Sequence, residues 1–185
     1  MKIINGLYRT VAATFPRSGN TYMIYCLGHY FSKQRLHFTD IHRPGSLPFD
    51  KDPDCVLLKT HDFDLKFSPQ PQWKYLVQIR DPLEALASWN QLNIEEGHPA
   101  KHIDEWWRKQ MQFYADFVKK WILQPMPNRL VVPFAELMAD PVAVLSDVIT
   151  FLNVDATVDL DKLTRVALAN QRPYGRQHPT PFIRV

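Results

Sequence analysis

Thr10-Val11-Ala12-Ala13-Thr14-Phe15-Pro16-Arg17-Ser18-Gly19-Asn20-Thr21 is the stretch on which the reading of the chain turns. Its first six residues are small, β-branched or aromatic and carry no charge, which suits a strand buried on both faces of a parallel sheet. A tight loop containing Gly19 follows, and a helix is predicted from Tyr22 to about Phe31. The first N–H groups of such a helix have no intrahelical acceptor, and the helix dipole adds partial positive charge there. An anion is favoured at that place, phosphate above all. Arg17 adds a fixed cation with fork geometry, and Ser18, Asn20 and Thr21 add short polar side chains. A phosphate-gripping G-x-x-x-x-G-K-[ST] loop is absent, so a magnesium-dependent nucleotidase loses its best signature. Taken alone, the segment also reads as a plain turn with a helix cap.

Working outward, Cys55-Val56-Leu57-Leu58-Lys59-Thr60 is a second apolar strand that ends at His61-Asp62. Lys74 to Arg80 is a third, and Arg129-Leu130-Val131-Val132-Pro133 a short fourth. Asp81-Pro82 and Asp140-Pro141 are helix starts: the Asp side chain accepts an orphan N–H, and Pro has none to lose. The second opens a helix over Val142 to Leu152. A long helix is predicted from His102 to Leu123, with Ile103, Trp107, Met111, Tyr114, Val118 and Trp121 as its apolar stripe. A last helix is expected over Asp159 to Asn170, followed by a polar tail, and Ile41 to Asp54 reads as a Pro-, Gly- and Asp-rich loop. Strands alternating with helices predict an α/β fold, a parallel β-sheet flanked by helices. With no internal repeat and no long linker, residues 1–185 are expected to form a single domain.

Composition excludes several classes. The 185 residues are 45% hydrophobic and 22% charged, which argues against a disordered tail or a disulfide-dense miniprotein. No apolar run reaches the ~18–20 residues of a membrane span. Residues 1–15 lack the apolar core of a secretory leader. Cys26 and Cys55, far apart in sequence, read as buried reduced thiols. Cytoplasm is the expected compartment. A net charge of +3 is too mild and too evenly spread for nonspecific nucleic-acid binding, so none is expected.

Ligands of open α/β sheets bind beyond the carboxyl ends of the strands. Arg17, His61 and Arg80 follow or close three strands, with Lys59 two residues before His61 and Ser88 two helical turns after Arg80. At this point the chain resembles the sulfotransferases that use 3′-phosphoadenosine 5′-phosphosulfate (PAPS). Phe15-Pro16-Arg17-Ser18-Gly19-Asn20-Thr21-Tyr22 is similar to their 5′-phosphosulfate loop, and Tyr75 to Pro82 with Ser88 to their 3′-phosphate motif. Leu57-Leu58-Lys59-Thr60-His61 resembles the Lys-Thr-His segment of the cytosolic branch. Val132-Pro133-Phe134-Ala135-Glu136-Leu137, then Asp140-Pro141 and Phe151-Leu152, is similar to a later stretch of the family. The order of the motifs, from Val11 to Leu152, makes the combination specific.

The resemblance implies a P-loop-like sulfotransferase fold and transfer of a sulfuryl group from PAPS to an acceptor hydroxyl or amine, without a metal. His61 is then the general base, with Arg17 and Lys59 at the sulfuryl and leaving phosphate groups. Arg17, Ser18, Gly19, Asn20, Thr21 and Tyr22 hold the 5′ end of the nucleotide, and Arg80 and Ser88 the 3′-phosphate. The family's C-terminal Arg-Lys-Gly element is absent as such. Arg172, Gly175 and Arg176 stand in for it or belong to a solvated tail. Asp62 and Asp64 are alternatives to His61 as base. The acceptor, whether carbohydrate, lipid or small molecule, is not specified by these motifs. Two rival readings stay open, a kinase or nucleotidase and a catalytically silent nucleotide-binding scaffold. The long aromatic helix reads equally as core or as the face of a homodimer. His98 and His102 have metal-pair spacing but no evident third ligand, and the Glu95-Glu96 pair could border the acceptor site by resemblance.

Overall fold

A computed structural model describes residues 3–4, 6–31, 38–41, 54–99, 102–155 and 157–176; at 38–41 and 171–176 it describes the backbone alone. Strands β1 (Ile3–Ile4) and β2 (Leu7–Tyr8) pair antiparallel at the start of the chain. They lead into β3 (Thr10–Thr14), all five residues of which are buried, as an uncharged β-branched run demands at the centre of a parallel sheet. β3 is followed by helix α1 (Asn20–Phe31) and then by β4 (Phe38–Ile41), β5 (Leu57–Thr60) and β6 (Lys74–Ile79). Helices α2 (Pro82–Glu95) and α3 (Ile103–Val118) lead to β7 (Arg129–Pro133), α4 (Phe134–Ala139), α5 (Pro141–Leu152) and α6 (Leu160–Arg176).

The main sheet has five strands in the order β4-β5-β3-β6-β7, every neighbouring pair parallel. From β3 the chain crosses to the edge strand β4, steps back to β5 beside β3, and then passes to β6 and β7 on the other side. That reversal at β3 opens a crevice beyond its carboxyl end. Period-two alternation sorts the core. Val11, Ala13 and Phe15 join Leu58, Tyr75 and Val77 on the face covered by Leu86, Phe117 and Trp121. Ala12, Leu57, Leu76 and Val132 face the opposite cluster with α1, α5 and α6. On α1 the inward side chains Tyr22, Met23, Cys26, Leu27, Tyr30 and Phe31 recur at helical spacing. Each large apolar one stabilises by ~1.5–3 kcal/mol. They pin the first turn of the helix, and with it the preceding loop, to the sheet.

Both capping devices predicted at Asp-Pro form: Asp81 accepts from the Glu84 N–H at 3.1 Å, and Asp140 from the Ala143 N–H at 3.0 Å. Other expectations need correction. Residues 38–41 are the edge strand β4, although the sequence assigns residues 38–40 to no element and places the start of a loop at Ile41; their local pattern is weak, and pairing with β5 supplies the order. The long helix runs as α3 to Val118 and then as a π turn over Lys119–Leu123. Of the predicted stripe, Trp121 is buried and Trp107, Met111 and Tyr114 pack partly buried against the same core, whereas Ile103 is exposed; Phe117, outside the stripe, is buried, with Phe113 half-buried one turn before it. Helix α6 continues past Asn170 to Arg176. Cys26 and Cys55 are buried free thiols. No helix among the described residues is long and apolar enough to cross a membrane.

Candidate active site

A cleft of about 750 Å³ opens beyond the carboxyl ends of β3, β5, β6 and β7. The loop after β3 forms its floor. Arg17 holds φ of 66° and Gly19 φ of 81°, both left-handed. The conformation costs a non-glycine residue ~1–2 kcal/mol, so the loop stores strain at Arg17. At Gly19 any side chain is also blocked, since a Cβ would stand 2.7 Å from Cδ2 of Phe134. The loop turns directly into the first turn of α1, whose N–H groups are available to an anion. Ser18 is only 1% exposed, and its hydroxyl has no hydrogen-bond partner among the described residues, nor has Asn20 Oδ1.

Above this floor the cations converge. Arg17 Nε donates to Ser88 Oγ at 3.0 Å, bringing together two residues 71 positions apart. Arg80 Nη1 donates to the Arg17 carbonyl at 3.4 Å, and its guanidinium lies 4.3 Å from the centre of the Phe134 ring. Arg80 Nε also pairs with Glu84 at 3.0 Å, which steers the guanidinium; the pair is too exposed on the Glu84 side to stabilise much. Tyr114 fixes the strand end by donating to the Arg80 carbonyl at 2.9 Å. Burial, with the Asp81 charge, raises the Tyr114 pKa, so the phenol stays a donor.

His61 leaves β5 and faces the same cleft as Lys59, so strand alternation does hold beyond Thr60. Its Nδ1 lies 2.7 Å from the carbonyl oxygen of Thr14 and 3.3 Å from Thr14 Oγ1. A carbonyl only accepts, so Nδ1 is the protonated nitrogen, and the basic lone pair of the neutral ring belongs to Nε2. Asp62 takes no part in the lining. Its carboxylate is buried and accepts from Lys120 Nζ at 2.6 Å, Trp121 Nε1 at 2.9 Å and the Phe67 N–H at 2.9 Å. Asp64 instead accepts from the Lys66 N–H at 3.2 Å and is likewise outside the cleft wall.

Of the residues singled out from sequence, Arg17, Gly19, Asn20, Thr21, Tyr22, Lys59, His61, Arg80 and Ser88 all line the cleft. Ser18 lies beneath it. The Tyr22 hydroxyl donates to the Ala167 carbonyl at 3.2 Å and ties α1 to α6. The side chains of Arg172, Gly175 and Arg176 lie outside the described residues. The cleft also contains residues the sequence reading did not select: Phe63, Trp89, Leu92, Phe134 and Met138. Phe134 follows β7 directly, so the strand-end rule extended to that strand would have found it. Phe63 is half-exposed, 5.2 Å from the His61 ring and 5.8 Å from Trp89. Of the acidic pair, Glu96 lines the cleft and Glu95 does not. The cleft therefore combines cationic and aromatic side chains, with Arg80 against Phe134 and His61 beside Phe63.

No family model matches this sequence, and no curated protein sequence does. Solved structures do match. Mouse sulfotransferase SULT7A1 complexed with PAP superposes with a TM-score of 0.69 at 14% identity, over 87% of this chain and 63% of that one. The chain has the sulfotransferase fold. A sulfotransferase from Alicyclobacillus acidocaldarius gives a TM-score of 0.53 at 15% identity, over 88% of this chain and 92% of that one. This version of the sulfotransferase fold spans about 63% of the length of the mouse protein. Its cleft is built on the loop after the central strand and on the strand ends either side.

Proposed function

We propose that the chain is a sulfotransferase that moves the sulfuryl group of PAPS to an acceptor hydroxyl or amine. One observation carries this reading: Arg17, Lys59, His61, Arg80 and Ser88 meet in a single cleft, with His61 held in the tautomer a base requires. The residues fit the nucleotide. A strained loop with a buried Ser18 hydroxyl that has no partner among the described residues, and a helix start, suits the 5′-phosphosulfate. Arg80 and Ser88, at the end of β6 and on α2, suit the 3′-phosphate, with Arg17 close enough to serve either. The mouse neighbour's bound PAP supports this class of nucleotide.

In the reaction His61 Nε2 takes the acceptor proton as the acceptor oxygen or nitrogen bonds to sulfur. The bond from sulfur to the bridging oxygen of the 5′-phosphate breaks, and 3′-phosphoadenosine 5′-phosphate (PAP) leaves. Such in-line transfer rests on positioning and on stabilising spread negative charge. Arg17, Lys59 and the loop N–H groups meet that charge. An imidazole pKa near ~6.5 suits a base at neutral pH.

The test compares wild type with His61→Ala on PAPS and a pool of acceptors, with PAP binding measured alongside. Lost turnover with retained PAP binding supports the assignment; unchanged turnover removes His61 as the base. PAP at about 100 Kd should raise stability by ~2.7 kcal/mol, or Tm by roughly 5–10 °C. Stabilisation by ATP with Mg²⁺ in place of PAP would favour a kinase or nucleotidase.

A further inference from the structure

Asp62, next to His61, is held by several hydrogen bonds, although the reaction above assigns it no step. It sits at φ of 47°, in the left-handed region, immediately after His61. Its N–H donates to Thr60 Oγ1 at 2.9 Å, so the residues before and after His61 are tied to one another. Its carbonyl accepts from the Leu65 N–H at 2.8 Å, and Leu65 is left-handed too, with φ of 55°. Two strained residues in one short turn need an anchor that over-determines them.

The anchor comes from the other side of the aromatic core. Lys120 Nζ and Trp121 Nε1 both donate to Asp62 Oδ2, while Lys120 also donates to the Leu65 carbonyl at 2.8 Å. Lys120 and Trp121 are consecutive. In an α-helix successive side chains diverge by ~100°, which sets neighbours on different faces. These two lie in the π turn Lys119–Leu123, where the wider turn reduces that divergence and lets both reach one oxygen. The irregular turn thus has a use: it aims a cation and an indole at the residue behind His61. The imidazole is held on its other side by the Thr14 carbonyl, so its position depends on both attachments.

We propose that Asp62 is a positioning residue, locked by Lys120 and Trp121 of the π turn, that holds His61 with Nδ1 on Thr14 and Nε2 towards the cleft. The proposal rests on the reading of His61 as the base. It adds that the long helix controls the geometry of that base from outside the cleft. Asp62→Asn and Lys120→Met each break a buried ion pair and can unfold the protein, so turnover is counted per folded molecule and the milder Lys120→Arg and Trp121→Phe stand beside Lys120→Met. Lys120→Met, Lys120→Arg and Trp121→Phe are the informative variants.

The experiment reads the His61 ring by nitrogen-detected NMR, assigned against His61→Ala, together with turnover per folded molecule and PAP affinity. Wild type should show His61 protonated at Nδ1. Lys120→Met should lose that preference and about ten- to a hundred-fold in turnover, as expected for a base displaced by about 1 Å. Its PAP affinity should stay within about two-fold, because Lys120 does not line the cleft. Trp121→Phe should change the same readouts in the same direction by less, and Lys120→Arg should restore the tautomer. A lower Tm with unchanged tautomer and turnover would overturn the proposal, leaving the network merely structural. A matching fall in PAP affinity would overturn it as well. If wild type turns over no PAPS at all, the sulfotransferase reading fails by itself, and the tautomer in Lys120→Met still decides whether the π turn sets His61.

Discussion

Gly19→Ala and Gly28→Ala make the same chemical change nine residues apart, and they should move stability in opposite directions. At Gly19 the backbone has φ of 81°, where alanine costs ~1–2 kcal/mol. The new Cβ would also stand 2.7 Å from Cδ2 and 2.9 Å from Cε2 of Phe134, overpacking that costs ~1–3 kcal/mol. Together these destabilise by roughly 2–5 kcal/mol, or about 5–15 °C in Tm for a chain of this size. Phe134 can relieve the clash only by leaving its place against the Arg80 guanidinium, so PAP affinity should fall too. At Gly28, inside α1, a Cβ meets nothing within 4 Å. Removing backbone entropy there should stabilise by ~0.5–1 kcal/mol. Thermal unfolding of both variants, with a PAP titration of each, checks the pair. A Gly19→Ala protein that melts at or above wild type and binds PAP normally would refute the account of the loop.

Arg80→Ala should weaken PAP binding by about ten-fold or more, since a charge-assisted bond is worth ~1.5–3 kcal/mol; equal affinity by calorimetry would remove Arg80 from the 3′-phosphate. Glu84→Gln should change PAP affinity far less than Arg80→Ala, because Glu84 is largely exposed and steers the guanidinium without lining the cleft. Burial pushes the Cys26 thiol from 9.0 up to about 11, with a hydrogen bond to Tyr22 offsetting part of the shift. The folded state therefore holds that proton more tightly than the unfolded chain. Its contribution is complete below pH 9 and is lost as pH rises to about 11, roughly 3 kcal/mol in all. Cys26→Ala should flatten the fall in denaturant midpoint across that window, and an unchanged slope would show the thiol is not its source. Tyr75, raised to about 12 mainly by burial, prolongs the same trend at still higher pH.

The α/β class, the central strand at Thr10–Thr14, both Asp-Pro helix starts and the placement of Arg17, His61 and Arg80 at strand ends were legible in the amino-acid order. Each of these is a local property: an uncharged β-branched run, a cap three residues from its donor, a residue next to the end of a strand. Strand alternation even placed Lys59 and His61 on one side once the extended geometry was granted. The remaining features depend on contacts across long separations. Arg17 meets Ser88, and Asp62 meets Lys120 and Trp121, because the sheet order brings β3, β5 and β6 together under helices that follow later. Edge strand β4 exists by pairing with β5. Phe63, Trp89 and Phe134 become cleft walls through that same register. Asp62 shows the difference most sharply: beside His61 in sequence it reads as a rival base, yet its left-handed backbone turns the carboxylate into the core. No pattern of neighbours encodes that turn, because its partners sit 58 and 59 residues away.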